Sequence, residues 1–306
     1  GGSWERHFNS QLANCRFEPF EIWASMFRRP ARKLLLMVYV DDFKLSGPKQ
    51  NMAEGWKLIR EGLTIEDPKP LDLYLGCYHE YFECKDPKGN TVRGRRYNQE
   101  NFLRSCVERY LELGGNPKLT KVATPFIEDP PQGVELPQGE LQSSAAAILM
   151  KVLYAARYSR PDLLRAICYL ACCITRWDTH CDKQLHRLMS YIHHTYHHRL
   201  VGYVSEGDAG ARSMHAYADA DFAGCRFTQR STSGGYLCVE GEHTLFPLSF
   251  CSKRQGAVSH STPEAEIVSG DHVLRTMGIP ALQMWETIWS PDAKMTFHDD
   301  NEAMIR

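Results

Sequence analysis

The sequence lacks three features that would each define a class of protein. Its longest strongly apolar run, Leu34 to Val40, falls far short of the roughly 20 residues that span a bilayer. The N-terminus has no charged segment followed by an apolar one, so there is no secretory signal pattern. The 11 cysteines are an odd number, and none stands in a Cys-x-x-Cys pair. We therefore predict a soluble intracellular protein with reduced thiols, without a disulfide framework.

The sequence also lacks an excess of either charge. It has 36 basic and 37 acidic residues and a formal net charge of −1, so its bulk charge does not indicate nucleic-acid binding. Local basic patches lie at Arg28-Arg29 with Arg32-Lys33, at Arg93 with Arg95-Arg96, and at Lys253-Arg254. Each patch fits a solvated surface as well as a phosphate site. With 306 residues, of which 43% are hydrophobic, the chain is long enough for about two domains.

The first half of the sequence predicts both strands and helices. The apolar run from Leu34 is followed by Asp41-Asp42 and by a second run that ends at Ser46-Gly47-Pro48, which indicates a hairpin with two acids at its tip. Helices are predicted for residues 51–63 and 98–113, and strand structure for residues 71–84. The segment from Thr124 to Gly139, rich in Pro, Asp and Gln, has the composition of a linker.

The second half predicts helices first and a sheet afterwards. Helices are predicted for residues 144–158, 162–176 and 182–197, and strands for residues 213–222, 234–239 and 245–251. A long helix begins at Pro263 and extends to about residue 288. A strand at 294–298 and a helix capped by Asp299-Asp300-Asn301 follow. The expected fold class is therefore mixed, α+β or α/β.

Two adjacent aspartates at the tip of a hairpin are a candidate metal site. Asp41 and Asp42 repel each other and lose solvation beside an apolar strand, which favours a compensating cation. Mg²⁺ prefers carboxylate oxygens and substrate phosphates, and two such ions can hold the attacking and leaving oxygens of a phosphoryl transfer. The alternative is an ordinary turn, since Asp is common in turns.

Three further acids form a second candidate site. Asp219 lies in the first of three strands, Glu266 lies early on the long helix, and Asp300 lies at the end of a fourth strand. Acids in these positions can converge at one end of a sheet, where they need a metal ion. Asp221 and Glu264 are weaker neighbours. Each acid alone also fits a structural role, as a strand-end acid, a first-turn helix acid or a cap.

A histidine cluster offers a different metal site. His193, His194, His197 and His198 have i and i+4 spacing on a predicted helix, which would place ligand pairs on common faces. No neighbouring acid completes a His-Glu-x-x-His pattern, so an exposed helix is the alternative to structural zinc. Cys172-Cys173 lies on an apolar helix face and fits the core better than a metal site.

A series of short motifs resembles one family in content and order. Tyr39-Val-Asp-Asp42 resembles the catalytic hairpin of reverse transcriptases from copia-type LTR retrotransposons. Its further motifs are matched by Leu73-Tyr-Leu-Gly76, Tyr97-Asn-Gln99, Ala123-Thr-Pro125, Leu153-Tyr-Ala-Ala156 and Ser159-Arg-Pro-Asp162. The ribonuclease H motifs of the same elements resemble Tyr217-Ala-Asp-Ala-Asp-Phe-Ala-Gly224, Arg230-Ser-Thr-Ser-Gly-Gly235, Ser252-Lys-Arg-Gln255, Ser261-Thr-Pro-Glu-Ala-Glu266 and Asp300-Asn301. Together these motifs cover essentially the whole chain.

This resemblance implies a fragment of a Pol polyprotein. Residues 1–125 would be the C-terminal part of a reverse-transcriptase palm and the start of the thumb, 126–206 a helical thumb or connection, and 207–306 a ribonuclease H-like domain, truncated at its C-terminus. The implied activity is RNA-directed DNA polymerisation with ribonuclease H cleavage of RNA/DNA hybrids, by two-metal phosphoryl transfer with Mg²⁺ or Mn²⁺. The implied partners are an RNA template, a DNA primer, an RNA/DNA hybrid and the other parts of Pol, without a membrane. The implied locations are cytoplasmic virus-like particles and the nucleus.

The site residues implied by the resemblance fall into two groups. The catalytic and metal-binding residues are Asp41, Asp42, Asp219, Glu266 and Asp300. The nucleic-acid-binding residues are Tyr39, Tyr74, Arg230, Ser231, Lys253, Arg254 and Gln255. Asp41 would bind metal directly, Asp42 would be a less direct partner in nucleotide addition, and the hairpin near Tyr74 to Cys84 would lie close to the primer.

The chain departs from the family pattern at three places. An aspartate of an earlier palm strand has no match between Gly1 and Leu36, and Lys44 stands where the hairpin's second strand is usually apolar. The family's fourth ribonuclease H carboxylate lies farther toward the C-terminus than Arg306. Because the chain begins without methionine and stops within a predicted helix start, we expect it to be cut at both ends. The alternative hypothesis is a catalytically inactive retrotransposon remnant that at most binds nucleic acid.

Overall fold

The chain forms two compact units, Gly1–Tyr74 and Leu75–Arg306, each with its own hydrophobic core. The structure is a computed structural model that describes residues 2–131, 134–289 and 292–305. None of its described helices combines the length and the apolar character that a membrane crossing requires.

The first unit packs two helices against an antiparallel sheet. Its elements are helix α1 (Gly2–Asn14), strands β1 (Glu18–Pro19), β2 (Met26–Arg29), β3 (Leu34–Tyr39) and β4 (Asp42–Ser46), helix α2 (Lys49–Gly62) and a short strand β5 (Leu73–Tyr74). The first four strands pair in the order β1-β2-β3-β4. Leu34, Leu36 and Val38 are buried because alternate residues of a strand share one face. A Cβ added at Gly55 of α2 would lie 2.7 Å from Leu34 Cδ1, so this glycine lets the helix approach the sheet.

The second unit is built on one mixed sheet. Its strands are β6 (Cys77–Lys85), β7 (Thr91–Asn98), β8 (Leu200–Ser205), β9 (Ser213–Asp221), β10 (Thr232–Gly241), β11 (Thr244–Arg254) and β12 (Met295–His298), and their order is β12-β9-β10-β11-β8-β7-β6. Strand β12 is parallel to β9, whereas the other neighbours are antiparallel. The meander β9-β10-β11 with a parallel fourth strand beside β9 is compatible with a ribonuclease H-like fold.

Helices cover both faces of this sheet. The largest core is formed by four helices: α3 (Glu100–Leu113), α4 (Gln142–Tyr158), α5 (Leu164–Cys173) and α6 (Thr179–His194). A second layer consists of α7 (Thr262–Val273), a π-helical turn (Leu274–Gly278) and α8 (Ile279–Ile288). The short helix α9 (Glu302–Ile305) follows β12. Phe250 and Cys251 are consecutive in β11 and point to opposite faces. Phe250 packs against the core of α3–α6, and Cys251 packs with Val273 and Met277. The sheet therefore lies between the two helical layers.

The sequence predicted most of these elements, with shifted ends. The helix predicted for residues 182–197 begins at Thr179, because Asp178 caps the amides of His180 and Cys181, and it ends at His194. The helix predicted for 263–288 is interrupted by the π-helical turn. Strands β1, β2, β7 and β8 and helix α1 were not predicted. The domain boundaries at 125/126 and 206/207 stay predictions.

A buried arginine joins three helices of the second unit. Arg160 is 2% exposed and lies in the turn between α4 and α5. Its Nε and Nη2 donate to the two carboxylate oxygens of Asp162 at 2.9 and 2.8 Å. Its Nη1 and Nη2 also donate to the carbonyl and hydroxyl oxygens of Thr195, just after α6, at 3.0 and 2.9 Å. The Ser-Arg-Pro-Asp motif thus has a structural role, since it fixes the end of α6 to the α4–α5 turn.

Replacing this arginine should destabilise the chain. We expect Arg160→Ala to lower the free energy of unfolding by about 2–3 kcal/mol, because its charge-assisted hydrogen bonds to Asp162 and to the buried Thr195 are lost. The exposed Arg157, one turn earlier on α4, is the matched control, and Arg157→Ala should change stability by less than about 0.5 kcal/mol. Urea unfolding followed by circular dichroism measures both values, and equal effects of the two substitutions would contradict this role.

Candidate metal centre

Three acidic side chains from separate elements converge in the second unit. Asp219, Glu266 and Asp300 each offer a carboxylate oxygen, and these three oxygens lie within 4.8 Å of one another. Asp219 and Asp300 are exposed, whereas Glu266 is 4% exposed. The structure thus brings together the three acids that were predicted from the sequence as ligands in this half of the chain.

The positions of the three acids follow from strand pairing and helix docking. Asp219 is near the C-terminal end of β9, and Asp300 follows β12, which runs parallel beside β9. Because parallel strands end at the same edge of a sheet, the two acids become neighbours. Ser269 fixes the helix that carries Glu266, since its hydroxyl donates to the carbonyl of Asp219 at 2.7 Å and lies 3.3 Å from that of Gly234.

The N-terminus of α7 is fixed by two side-chain hydrogen bonds. The hydroxyl of Ser261 accepts a hydrogen bond from the amide of Glu264 at 3.3 Å, and Oε2 of Glu264 accepts one from the amide of His260 at 2.7 Å. The latter bond holds the pKa of Glu264 below its ordinary value. Asp221 forms an ion pair with Arg165 at 2.6 Å. The two weaker candidates, Asp221 and Glu264, therefore have partners outside the cluster.

The electrostatics of the cluster favour a bound cation. Burial, and then the nearby charges of Asp219, Asp299 and Asp300, raise the pKa of Glu266 to about 7. Within the described part of the chain, Oε2 of Glu266 and Oδ2 of Asp299 are both buried without a hydrogen-bond partner. Buried carboxylate oxygens normally have partners, and Mg²⁺ or Mn²⁺ is a partner that suits several carboxylates at once. The residues present therefore fit a divalent cation.

Asp299, which the sequence pattern predicted only as a helix cap, is a further acid beside the cluster. Its Oδ1 does accept a hydrogen bond from the amide of Asn301 at 2.9 Å, as a cap would. Its Oδ2 is buried, and its charge contributes to the raised pKa of Glu266. The adjacent pair Asp299-Asp300 was the signal that could have placed a fourth acid beside the cluster.

The nucleic-acid residues implied by the resemblance differ in exposure. Lys253 is exposed and Arg230 is half-buried, whereas Ser231 and Gln255 are buried. Gln255 Nε2 donates to Ser233 Oγ at 3.1 Å and to the carbonyl of Ala265 at 2.9 Å. Gln255 thus connects the end of β11 to α7.

Two further residues of this group contact the loop after β9. Ser231 Oγ accepts a hydrogen bond from the amide of Ala223 at 3.1 Å. Arg254 Nη1 donates to Cys225 Sγ at 3.8 Å. Both contacts shape the loop, and only the exposed Lys253 and the half-buried Arg230 and Arg254 offer charge to a ligand.

The aspartate pair of the first unit lies at an exposed hairpin tip. Tyr39 pairs with Asp42 across β3 and β4, so Val40 and Asp41 form the turn. Val40 has φ 53°, a conformation that β-branched residues rarely adopt. The side chains of Tyr39, Asp41 and Asp42 are exposed, whereas Tyr74 is buried with the ammonium of Lys44 5.3 Å from its ring centroid. The unusual charge of Lys44 is thus accommodated by an aromatic face.

The histidine cluster does not form the helix-face pairs that the spacing predicted. Helix α6 ends at His194, so His197 and His198 lie beyond it. His194 Nδ1 lies 2.9 Å from the carbonyl of Ser190, and His193 Nδ1 lies 3.3 Å from the hydroxyl of Tyr196. All 11 cysteines lie in the described part of the chain and are free thiols there.

Fold and site together define the class of protein. It is an α+β protein whose mixed sheet and covering helix hold a carboxylate cluster suited to a divalent cation. No protein-family model matches the chain.

Sequence comparison identifies relatives of this chain in Arabidopsis thaliana. The retrovirus-related Pol polyprotein from transposon RE2 of Arabidopsis thaliana is 29% identical over 240 residues, which are 76% of this chain and 15% of that polyprotein. The corresponding polyprotein from transposon RE1 is 26% identical over 237 residues, 76% of this chain and 14% of its own length. An uncharacterized mitochondrial protein of the same plant is 25% identical over 235 residues, 76% of this chain and 88% of that protein.

These relatives confirm the predicted family relationship. The chain is a homologue of the Pol polyproteins of copia-type retrotransposons. It spans about one seventh of the length of the two polyproteins.

The raised pKa of Glu266 predicts how stability depends on pH without a divalent metal. The folded chain keeps a proton on Glu266 up to about pH 7, whereas the unfolded chain releases it near 4.5. The folded state therefore binds more protons in this window, and its free energy of unfolding should fall as pH rises from about 4.5 to 7. Urea unfolding should show this fall relative to Glu266→Gln, which has no such proton. Parallel pH profiles of the two proteins would contradict the assignment.

Proposed function

We propose that the second unit is the ribonuclease H of a retroelement Pol and hydrolyses the RNA strand of RNA/DNA hybrids. The observation that carries this proposal is the convergence of Asp219, Glu266 and Asp300 from a strand, a helix and a neighbouring parallel strand. In addition, Oε2 of Glu266 is buried without a hydrogen-bond partner among the described residues, which suits a bound cation better than solvent.

Each acid has a defined part in this activity. Asp219, Glu266 and Asp300 would hold Mg²⁺ or Mn²⁺, with Asp299 adding negative charge beside them. When bound, the ions activate a water molecule and stabilise the leaving oxygen of an in-line phosphoryl transfer. Glu266 has the most restricted position, because it is buried and stands on a helix that Ser269 fixes to two strands.

A nucleic-acid surface adjoins the ends of the strands that frame the cluster. Arg230 directly precedes the buried Ser231 and β10, and Lys253 and Arg254 end β11, which pairs with the start of β10. Basic side chains at adjoining strand ends suit the phosphates of a hybrid. The bound nucleic acids would be those of reverse transcription: an RNA template, a DNA primer and the hybrid that they form, in the presence of the other parts of Pol.

Cleavage of an RNA/DNA hybrid tests the proposal. With Mg²⁺ or Mn²⁺ present, we expect the wild-type chain to cleave the RNA strand. We expect Asp219→Asn to reduce the rate by more than about 100-fold, because even outer-shell partners of metal ligands contribute roughly 10–100-fold. Asp271→Asn is the matched control: it removes an exposed acid from the helix that carries Glu266, and its rate should stay within about 2-fold of the wild type, since surface substitutions have small effects.

The same cleavage assay also tests the alternative hypothesis, in which the chain is a catalytically inactive retrotransposon remnant. Wild-type and Asp219→Asn chains that cleave at the same rate, or no cleavage by the wild type, would reject the nuclease. Hybrid binding without cleavage would then favour a chain that only binds nucleic acid.

A second function, nucleotide addition at the Asp41-Asp42 hairpin, is favoured by one observation. Val40 has positive φ although it is β-branched, and backbone strain of this kind concentrates at functional sites. Together with the exposed tip, this conformation suits the polymerase hairpin of a palm, with Asp41 as the direct metal ligand and the exposed Tyr39 near the nucleic acid.

Primer extension on an RNA template tests this second function separately. We expect Asp41→Asn to abolish extension and to leave hybrid cleavage unchanged, because the two sites use different acids. Asp67→Asn, an exposed acid of the same unit, should retain extension. Absence of extension by the wild-type chain with either Mg²⁺ or Mn²⁺ would reject nucleotide addition for this chain, without affecting the nuclease.

A further inference from the structure

An ion pair joins the helical layer α3–α6 to the strand that carries Asp219. Nη2 of Arg165, on α5, donates to Oδ2 of Asp221 at 2.6 Å, and Asp221 is the last residue of β9. Alternate residues of a strand share one face, so the side chains of Asp219 and Asp221 leave β9 on the same face, roughly 7 Å apart. Asp221 is therefore the acid next along this face of β9 after a ligand of the candidate metal centre.

The guanidinium of Arg165 is held in place by two aromatic rings. Its Cζ lies 5.0 Å from the ring centroid of Phe126 and 5.1 Å from that of Tyr169. Tyr169 is buried, and its hydroxyl donates to Asp129. Stacking on two rings restricts the directions that a guanidinium can take. The pair thus differs from an ordinary surface ion pair, in which two long side chains are free to separate.

The carboxylate of Asp221 is also enclosed by the loop that follows β9. A Cβ added at Gly224 would overlap both carboxylate oxygens of Asp221, so the loop passes this close only because residue 224 is glycine. The amide of Ala223 donates to Oγ of the buried Ser231 at 3.1 Å, which fixes the loop to the start of β10. Asp221 therefore lies between Arg165 and a loop that is itself held in place.

A carboxylate this near a divalent ion is attracted to it. In water, one unit charge about 7 Å from a divalent ion is worth roughly 5-fold in the affinity for that ion. The guanidinium of Arg165 opposes this attraction, because it neutralises Asp221 and holds its Oδ2 toward α5.

We propose that Arg165 is a positioning residue of the metal centre, which it serves by keeping Asp221 out of the coordination of the ion. The positions that the three converging acids leave open then stay available to water and to the phosphate of the substrate. This inference rests on the proposed nuclease function. It also gives helix α5, which belongs to the region predicted as thumb or connection, a part in that activity.

Mn²⁺ binding and hybrid cleavage together test the proposal. We expect Arg165→Gln to bind Mn²⁺ about 5-fold more tightly than the wild type, because the released Asp221 adds its charge to the site. Electron paramagnetic resonance of free Mn²⁺ measures this affinity. At saturating Mn²⁺ we expect the same variant to cleave an RNA/DNA hybrid about 10-fold more slowly, since Asp221 then competes with water or phosphate. A merely structural loss would instead weaken metal binding and cleavage together.

Two further variants separate the ion pair from its surroundings. Arg165→Lys keeps the charge beside Asp221 and should restore both the affinity and the rate. In an Asp221→Asn background, Arg165→Gln should change Mn²⁺ affinity by less than about 2-fold, because the amide has no charge to offer. Arg109→Gln is the matched control, since it removes a half-exposed arginine from an ion pair with Glu112 on α3 and should bind Mn²⁺ as the wild type does.

The outcomes distinguish this inference from the function on which it rests. Equal or weaker Mn²⁺ binding by Arg165→Gln, or the same increase in both backgrounds, would overturn the positioning role and leave the nuclease intact. Mn²⁺ binding that is undetectable in the wild type, or unchanged by Asp219→Asn, would overturn the metal centre and this inference with it. Should Arg165→Gln fail to fold, Arg165→Met carries the same prediction, because its apolar side chain still packs on the two rings.

Discussion

The parallel pairing of β12 with β9 is the constraint on which the candidate metal centre depends. Strand β12 has four residues, yet its register beside residues 214–217 brings Asp300 to the end of β9, where Asp219 stands. Helix α7 supplies Glu266 from above the same strand, and Ser269 fixes that helix to β9 and β10. A close approach is possible because Gly270 has no side chain: a Cβ there would lie 2.7 Å from Met304 Cε and 3.2 Å from Phe297 Cζ.

The same convergence has an electrostatic cost. Glu266 is buried among acids, so its pKa is raised to about 7, and the fold is least compatible with a fully ionised cluster. The surrounding structure supplies few compensating donors, since buried oxygens of Glu266 and Asp299 have no partner among the described residues. The neighbouring acids that do have partners, Asp221 with Arg165 and Glu264 with the amide of His260, serve the fold. The unpartnered oxygens therefore mark the part of the molecule that suits a cation.

The sequence predicted the residues of the cluster better than their surroundings. Asp219, Glu266 and Asp300 were found because their motifs stand in family order and because strand, helix and strand ends meet at one edge. Asp299 was taken only as a cap, since sequence spacing cannot show whether the second oxygen of a carboxylate is buried. Strand β7 was missed because Arg93, Arg95 and Arg96 conceal the buried alternation of Val92 and Gly94. The motif residues Ser231 and Gln255 suggested ligand contacts, but burial and hydrogen bonding within the fold depend on tertiary structure.

Direct binding of Mn²⁺ tests the central claim that the three acids form one metal centre. Electron paramagnetic resonance of free Mn²⁺ during titration of the chain measures this binding. We expect Asp300→Asn and Glu266→Gln each to weaken Mn²⁺ binding by more than about 10-fold, because the acids share one ion, whereas Asp271→Asn should leave it unchanged. Equal Mn²⁺ affinity of the wild type and both cluster variants would show that the three acids do not form one metal centre.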